Sequence, residues 1–160
     1  MNEPSVERVV VDASPEEIWS ILEDPAALGR VLPDAESVVA DGPNQVRVVL
    51  ASRVAFMTVR ADLVGRYLEA DPPRHLRLVL DGAARGVPGE IHASIPFDLR
   101  PLATAGTLAP ARTEVRYAVG LELTGRLASM AGPMIRRQIP EQVAALVRNV
   151  EREAIRRRTA

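Results

Sequence analysis

Between Ser37 and Leu123 apolar residues recur at every second position over five successive stretches, the spacing of strands that bury one face. Val46, Val48, Leu50 and Ser52 share one side of the first stretch, with Arg47 and Arg53 on the other. The same division sets Met57, Val59, Ala61, Leu63 and Tyr67 against Arg60, Asp62 and Arg66, and then Leu76, Leu78 and Leu80 against Arg77 and Asp81. Ile91, Ala93, Ile95 and Phe97 oppose Glu90, His92 and Asp98; Val115, Tyr117, Val119, Leu121 and Leu123 oppose Glu114, Arg116 and Glu122. Turn residues at Asp41–Asn44, Asp71–Arg74 and Gly86–Gly89 punctuate the pattern, so antiparallel hairpins are the simple reading. Pro101 to Arg112, rich in Ala, Pro and Gly, reads as a lengthened hairpin loop.

The two ends of the chain follow other periods. Val6 to Asp12 is β-branched and predicts a first strand. Ser14-Pro15-Glu16-Glu17 combines a cap, a proline suited to the first helical position and the second half of a capping box. The helix it starts carries Ile18, Trp19, Ile21 and Leu22, and Asp24-Pro25 starts a second short helix ending near Leu32-Pro33. Near the other terminus, Met134, Ile135, Ile139, Val143, Leu146, Val147 and Val150 recur at helical spacing. They predict a helix from about Pro133 to Arg157, roughly 37 Å long, either kinked at Pro140 or starting there. Arg156, Arg157 and Arg158 in its last turn complement the negative helix end. A one-sided sheet needs a cover, and this helix supplies it. The expected fold is α+β: one domain over residues 1–160, with a seven-stranded antiparallel sheet around a long C-terminal helix and two short helices after the first strand.

Composition narrows the function. A net charge of −1 leaves no basic excess for nucleic acid. With no cysteine, and two histidines in separate segments, neither a metal nor a cofactor is expected. No leader-like segment opens the chain and no apolar run reaches membrane-spanning length, so a soluble, cytoplasmic protein is the expectation.

The predicted inner face mixes large residues with Ala61, Gly65, Gly82 and Ala93, which could leave a cavity; an ordinary packed core fits the same pattern. An empty apolar void of about 300 Å³ would cost roughly 7 kcal/mol, so such a cavity should be filled or able to collapse. Candidate wall residues are Trp19, Ser52, Met57, Tyr67, Phe97, Tyr117, Met130 and Met134. Tyr67 and Tyr117 could stack on a ligand and donate a hydrogen bond, or serve as core tyrosines bonded to backbone. Ser52 could add a hydroxyl; Trp19 could reach the mouth or anchor its helix; Met57, Phe97, Met130 and Met134 could provide an adaptable lining or plain core. No residue is assigned a catalytic role. His75 and His92 fall on solvated positions, and Asp62 and Glu114 sit among arginines on the outer face. Only a reversed strand register would turn these groups inward and open a route to an enzyme.

The order of elements is that of the helix-grip fold, and four segments resemble the CoxG-like branch of the START/Bet v 1-like (SRPBCC) superfamily, the branch of the G subunit of carbon monoxide dehydrogenase. They are Ser14-Pro15-Glu16-Glu17 with Trp19, Leu22, Asp24-Pro25, Leu28 and Leu32-Pro33; Leu68-Glu69-Ala70-Asp71-Pro72-Pro73; Arg112-Thr113-Glu114-Val115-Arg116-Tyr117; and Gly125-Arg126-Leu127-Ala128 followed by Gly132. The resemblance implies a hydrophobic small molecule, a quinone or another isoprenoid, held in service of a molybdenum-containing dehydrogenase of the carbon monoxide dehydrogenase type. It leaves two alternatives: a polyketide cyclase or dehydratase, and an assembly factor without a ligand. Two departures limit it. The chain stops at Arg158-Thr159-Ala160 where some relatives continue into an apolar tail, so membrane contact is not expected, and Val143 to Leu146 stand where the branch tends to carry aromatics.

Overall fold

A computed structural model describes residues 5–54, 56–102 and 111–159, leaving most of the loop expected over Pro101–Arg112 outside the described residues. The order is β1 (Glu7–Val11), α1 (Pro15–Leu22), α2 (Pro25–Val31), β2 (Ala35–Ala40), β3 (Gln45–Val54), β4 (Met57–Asp71), β5 (His75–Ala84), β6 (Glu90–Pro101), β7 (Thr113–Tyr117), β8 (Gly120–Leu123) and α3 (Gly125–Thr159). Both short helices start on their expected caps. The Glu17 amide donates to the Ser14 hydroxyl while the Ser14 amide donates to the Glu17 carboxylate, and the Asp24 carboxylate accepts from the Ala26 amide.

The sheet runs β1-β7-β6-β5-β4-β3-β2, with neighbouring strands antiparallel. The single last strand expected after the long loop is two: β7 pairs the end of β6 from Phe97 to Pro101, and β8 pairs its start from Ile91 to Ser94. The sheet therefore has eight strand segments, one more than the alternation implied, because a strand broken in pairing keeps its inward–outward period.

Register places the expected faces. Val46, Val48, Leu63, Leu78, Ile95, Phe97, Val115 and Tyr117 are buried in one core with residues of α1, α2 and α3. Arginine–carboxylate pairs cover the outer side: Arg60 with Glu36, Arg66 with Asp81, Arg85 with Asp62 and Arg116 with Glu114. Each guanidinium is well exposed or nearly so, and such pairs stabilise little individually.

The last helix starts at Gly125, eight residues before the expected Pro133, and runs through both Pro133 and Pro140. Its start is fixed by backbone contact with the β5–β6 turn. The Leu127 amide donates to the Pro88 carbonyl at 2.9 Å, and a Cβ on Gly89 would come within 2.2 Å of the Thr124 carbonyl oxygen. A Cβ on Gly125 would stand 3.0 Å from the Gly89 Cα and the Pro88 carbonyl oxygen, and its φ of +64° disfavours a side chain in any case, so both positions call for glycine. The two prolines are tolerated because each is exposed, leaving water to reach the carbonyls their missing amides abandon.

At its far end α3 is tied to α1 and α2. Arg157 reaches Asp24 at 3.2 Å and Ser20 at 3.1 Å, and Arg158 reaches Glu17 at 2.9 Å and the Asp12 carbonyl. Arg156 and Arg30 both bind the buried Glu153, whose carboxyl they hold down to about 2, Arg156 contributing most. The terminal arginines thus serve packing between elements.

Candidate functional site

The interior is not filled evenly. Under the first half of α3 lies an apolar pocket of about 100 Å³, enclosed by Leu50 and Ser52 of β3, Val59, Ala61 and Leu63 of β4, Leu80 and Ala84 of β5, Ile91 and Ala93 of β6, Leu121 of β8, and Leu127, Ile135, Gln138, Ile139 and Gln142 of α3. Among these residues only Ser52, Gln138 and Gln142 are polar, and none is ionisable. All three lie on the side next to β3. The Gln142 amide and the Ser52 hydroxyl both donate to one carboxylate oxygen of Asp34, at 2.9 and 3.3 Å, and the Gln138 amide donates to the Arg53 carbonyl at 3.4 Å. Asp34 takes this position at φ +62°, between α2 and β2, and its carbonyl accepts the Ala51 amide. One edge of an otherwise greasy chamber is therefore a hydrogen-bonded seam between loop, strand and helix.

Of the eight wall residues expected from sequence, Ser52 lines this pocket and the other seven lie elsewhere. Met57 and Met130 are mainly exposed, 65% and 69%, and Met134 is exposed at 37%: the sheet's inner face at Met57 runs out beyond its cover, and Met130 and Met134 flank the helix face that meets the sheet. Tyr67 sends its hydroxyl to the Leu22 carbonyl at 2.5 Å, the backbone-bonded arrangement; burial, aided by Glu23, pushes its pKa up to about 12. Phe97 and Tyr117 are buried against each other with ring centroids 5.9 Å apart, and burial raises the Tyr117 phenol too. Trp19 packs partly buried at the edge of the core. Phe97 instead helps enclose a second void of about 20 Å³ with Val11, Ile18, Leu22, Leu99, Val115, Leu146, Val147 and Val150.

The small residues expected to make room divide in the same way. Ala61 and Ala93 line the pocket. Gly65 does not: its missing side chain is replaced by Leu80 and Val46, each 3.1 Å from where a Cβ would stand. At Gly82 a Cβ would lie 1.9 Å from the Asp62 carbonyl oxygen, so this glycine permits close approach of β4 and β5. Gln138 and Gln142 are the polar groups that the sequence pattern did not single out; their signal is two amides four residues apart, interrupting the apolar stripe beside Ile135 and Ile139.

The ionisable groups that could have supported catalysis are elsewhere. His92 bonds Asp81, His75 bonds Asp98 at 2.7 Å, and Asp62 takes two hydrogen bonds of 2.7 Å from Arg85. These belong to the outer side of the sheet, separated from the pocket by its thickness. Among the described residues no helix is long and apolar enough to cross a membrane.

A family model for the G subunit of carbon monoxide dehydrogenase (CoxG) matches residues 8–155. No curated protein sequence matches the chain. Among solved structures, a conserved protein from Geobacillus kaustophilus aligns over 94% of both chains at 21% identity with a TM-score of 0.80. A START superfamily protein from Mycobacterium smegmatis aligns over 97% of this chain and 99% of its own at 17% identity and a TM-score of 0.66. The ZhuI aromatase/cyclase from Streptomyces sp. R1128 aligns over 97% and 94%, at 20% identity and a TM-score of 0.64. At such identities the likeness is one of fold, and that fold is the START/Bet v 1-like helix grip.

Proposed function

Because the chain belongs to the CoxG family, that of the carbon monoxide dehydrogenase G subunit, we propose that it is a binding protein that encloses the apolar part of a small hydrophobic molecule between its sheet and α3. The observation that carries this reading is the composition of the pocket: an aliphatic lining, three uncharged hydrogen-bonding side chains gathered on one edge, and no ionisable group. Such a site favours a ligand with an aliphatic or ring body and a carbonyl or hydroxyl head near Ser52, Gln138 and Gln142. A quinone or another isoprenoid has that form, and the family's name, that of a carbon monoxide dehydrogenase subunit, supports a partner of that type, which we take to be a molybdenum-containing dehydrogenase served in maturation or in electron transfer to the quinone.

Size sets a condition on binding. At 24 cal/mol per Å³, a void of about 100 Å³ costs roughly 2.4 kcal/mol, which a folded domain can carry. Small-molecule sites usually span about 300–1,000 Å³, so a ligand enters by pushing side chains apart, with the half-buried Ile135, Ile139, Gln138 and Gln142 as the movable wall. Native mass spectrometry of gently purified protein, followed by organic extraction and by incubation with ubiquinone and menaquinone analogues, tests the reading. A bound or acquired quinone, isoprenoid or lipid is expected. A protein that neither retains nor takes up any of them ends the proposal. A cyclase-type reaction would call for a proton-transferring group at the pocket; His92 and Asp62 lie on the other side of the sheet, and Asp34, the carboxylate behind the pocket's polar edge, is outside its lining and taken up by Ser52 and Gln142.

A further inference from the structure

The three hydrogen-bonding side chains on the pocket's edge have their roles fixed from behind. Asp34, which stands outside the lining, accepts the Ser52 hydroxyl and the Gln142 amide on one carboxylate oxygen, and the Arg53 carbonyl accepts the Gln138 amide. An ionised carboxylate and a peptide carbonyl accept and cannot donate. The single hydroxyl proton of Ser52 is therefore spent on the seam, and the nitrogen of each glutamine amide has to be the atom that faces it.

What remains for a ligand is a matter of lone pairs and protons. Ser52 has no second proton, so its oxygen offers lone pairs alone. Gln138 and Gln142 each keep one amide proton and a whole carbonyl oxygen. Among the described residues nothing donates to the side-chain oxygens of Ser52, Gln138 or Gln142. Three idle oxygens thus stand against two leftover N–H groups, and every other side chain of the lining is aliphatic and adds no donor. Behind them Asp34 makes no ion pair among the described residues, so its charge, screened only by water, disfavours a second anion beside it.

We infer that the pocket selects its ligand by the polarity of the head group: a hydroxyl, which donates, over a carbonyl, which only accepts, with a carboxylate least favoured. This rests on the reading of the pocket as a binding site and narrows it from hydrophobic molecules at large to alcohols and phenols. A carbonyl brought to this edge leaves water and meets mostly oxygens, whereas a hydroxyl finds three acceptors on one rim. Of the two redox forms of a quinone, the edge suits the hydroquinone.

Farnesol, farnesal and farnesoic acid carry the three head groups on one isoprenoid tail, and calorimetric titration of the full chain with each tests the inference. Farnesol is expected to bind about tenfold more tightly than farnesal, and farnesoic acid at neutral pH more weakly than both. Asp34→Asn is the variant that reads the cause. Asparagine tolerates the φ of +62° as readily as aspartate does, and its amide donates as well as accepts, which frees Ser52 or Gln142 to turn a proton into the pocket. In this variant the preference for farnesol over farnesal should shrink to about threefold or less, and the acid should gain most. Ser52→Ala, which removes one acceptor, should weaken farnesol about threefold and leave farnesal unchanged. A merely structural effect would weaken all three ligands alike. If farnesal binds as tightly as farnesol, or if Asp34→Asn leaves the ratios unchanged, the inference is wrong while the pocket remains a binding site. If none of the three binds, the reading of the pocket as a binding site fails and the inference with it.

Discussion

The same sheet and the same helix enclose two interiors of different quality. Where α3 passes Leu146, Val147 and Val150, they meet Phe97, Leu99 and Val115 from below and Ile18 and Leu22 from the side, and about 20 Å³ is left unfilled. Two turns earlier the helix crosses Leu50, Ala61, Ala84 and Ala93 and leaves about 100 Å³. Small side chains alone do not separate the two, since Gly65 sits over a filled space and Gly82 over backbone. What differs is the number of walls. The tight half has α1 and α2 as a third layer and the Phe97–Tyr117 ring pair in its floor; the loose half has only strands and one helix, closed at the side by the seam around Asp34. Space in this fold is made where a third element is missing.

The sharpest way to break that comparison is to truncate both halves alike. Leu146→Ala removes a side chain closed in on every side and should cost about 2–5 kcal/mol in denaturant unfolding, whereas Ile139→Ala, half-buried beside existing space, should cost about 1 kcal/mol. Equal losses would mean that the two interiors are equally packed. Next in size is the clamp that holds the tight half. Glu153→Gln should cost about 1–3 kcal/mol, because three arginines lose a charged acceptor. Folding lowers the pKa of Glu153, so its contribution is present above its ordinary value of 4.5 and fades as pH falls toward about 2. Acid unfolding of the wild type should therefore show a loss over that window that the glutamine variant lacks.

Tyr67→Phe should cost about 0.5–1.5 kcal/mol by freeing the Leu22 carbonyl, and leave ligand uptake unchanged because the hydroxyl already has its partner. Folding raises this phenol from 10.0 to about 12, so its neutral form stabilises the fold below pH 10 and that advantage drains away as pH rises toward 12; the phenylalanine variant should unfold less steeply over that range, followed by circular dichroism. The smallest effect on stability belongs to the loose half. Ala93→Leu fills existing space and should change unfolding by no more than about 1 kcal/mol, yet abolish retention of any hydrophobic molecule in native mass spectrometry.

Patterns that repeat locally were legible in the sequence. The alternation from Val46 to Leu123 placed the two faces of β3 to β8, and Ser14, Glu17 and Asp24 announced both short helices, because caps and pleats depend on residues close in the chain. The break between β7 and β8 was not, since pairing can stop without altering the alternation. Nor was the early start of α3, which depends on Gly125 meeting Gly89 across the β5–β6 turn. The site was least legible. Phe97 and Tyr117 are buried as their parity implied while Met57, on the same reasoning, is 65% exposed, because parity does not tell how far along a strand its cover reaches or which half of the core is full. Gln138 and Gln142 gained their place from contacts with distant segments, in the case of Gln142 with Asp34, more than a hundred residues away.

The glycine joint at the start of α3 and the ionic ties at its end together make the helix a beam with two supports. At 1.5 Å per residue its 35 residues span about 52 Å, so a rotation of only about 5° at a free joint would swing the other end by about 4.5 Å. The grip of Arg157 and Arg158 on α1 and α2 forbids that swing, and any load from below must be taken up as bending of the span. Pro133 and Pro140, each of which removes a rung from the helix ladder, lie within the stretch that roofs the pocket. The beam is thus most compliant above the space it covers.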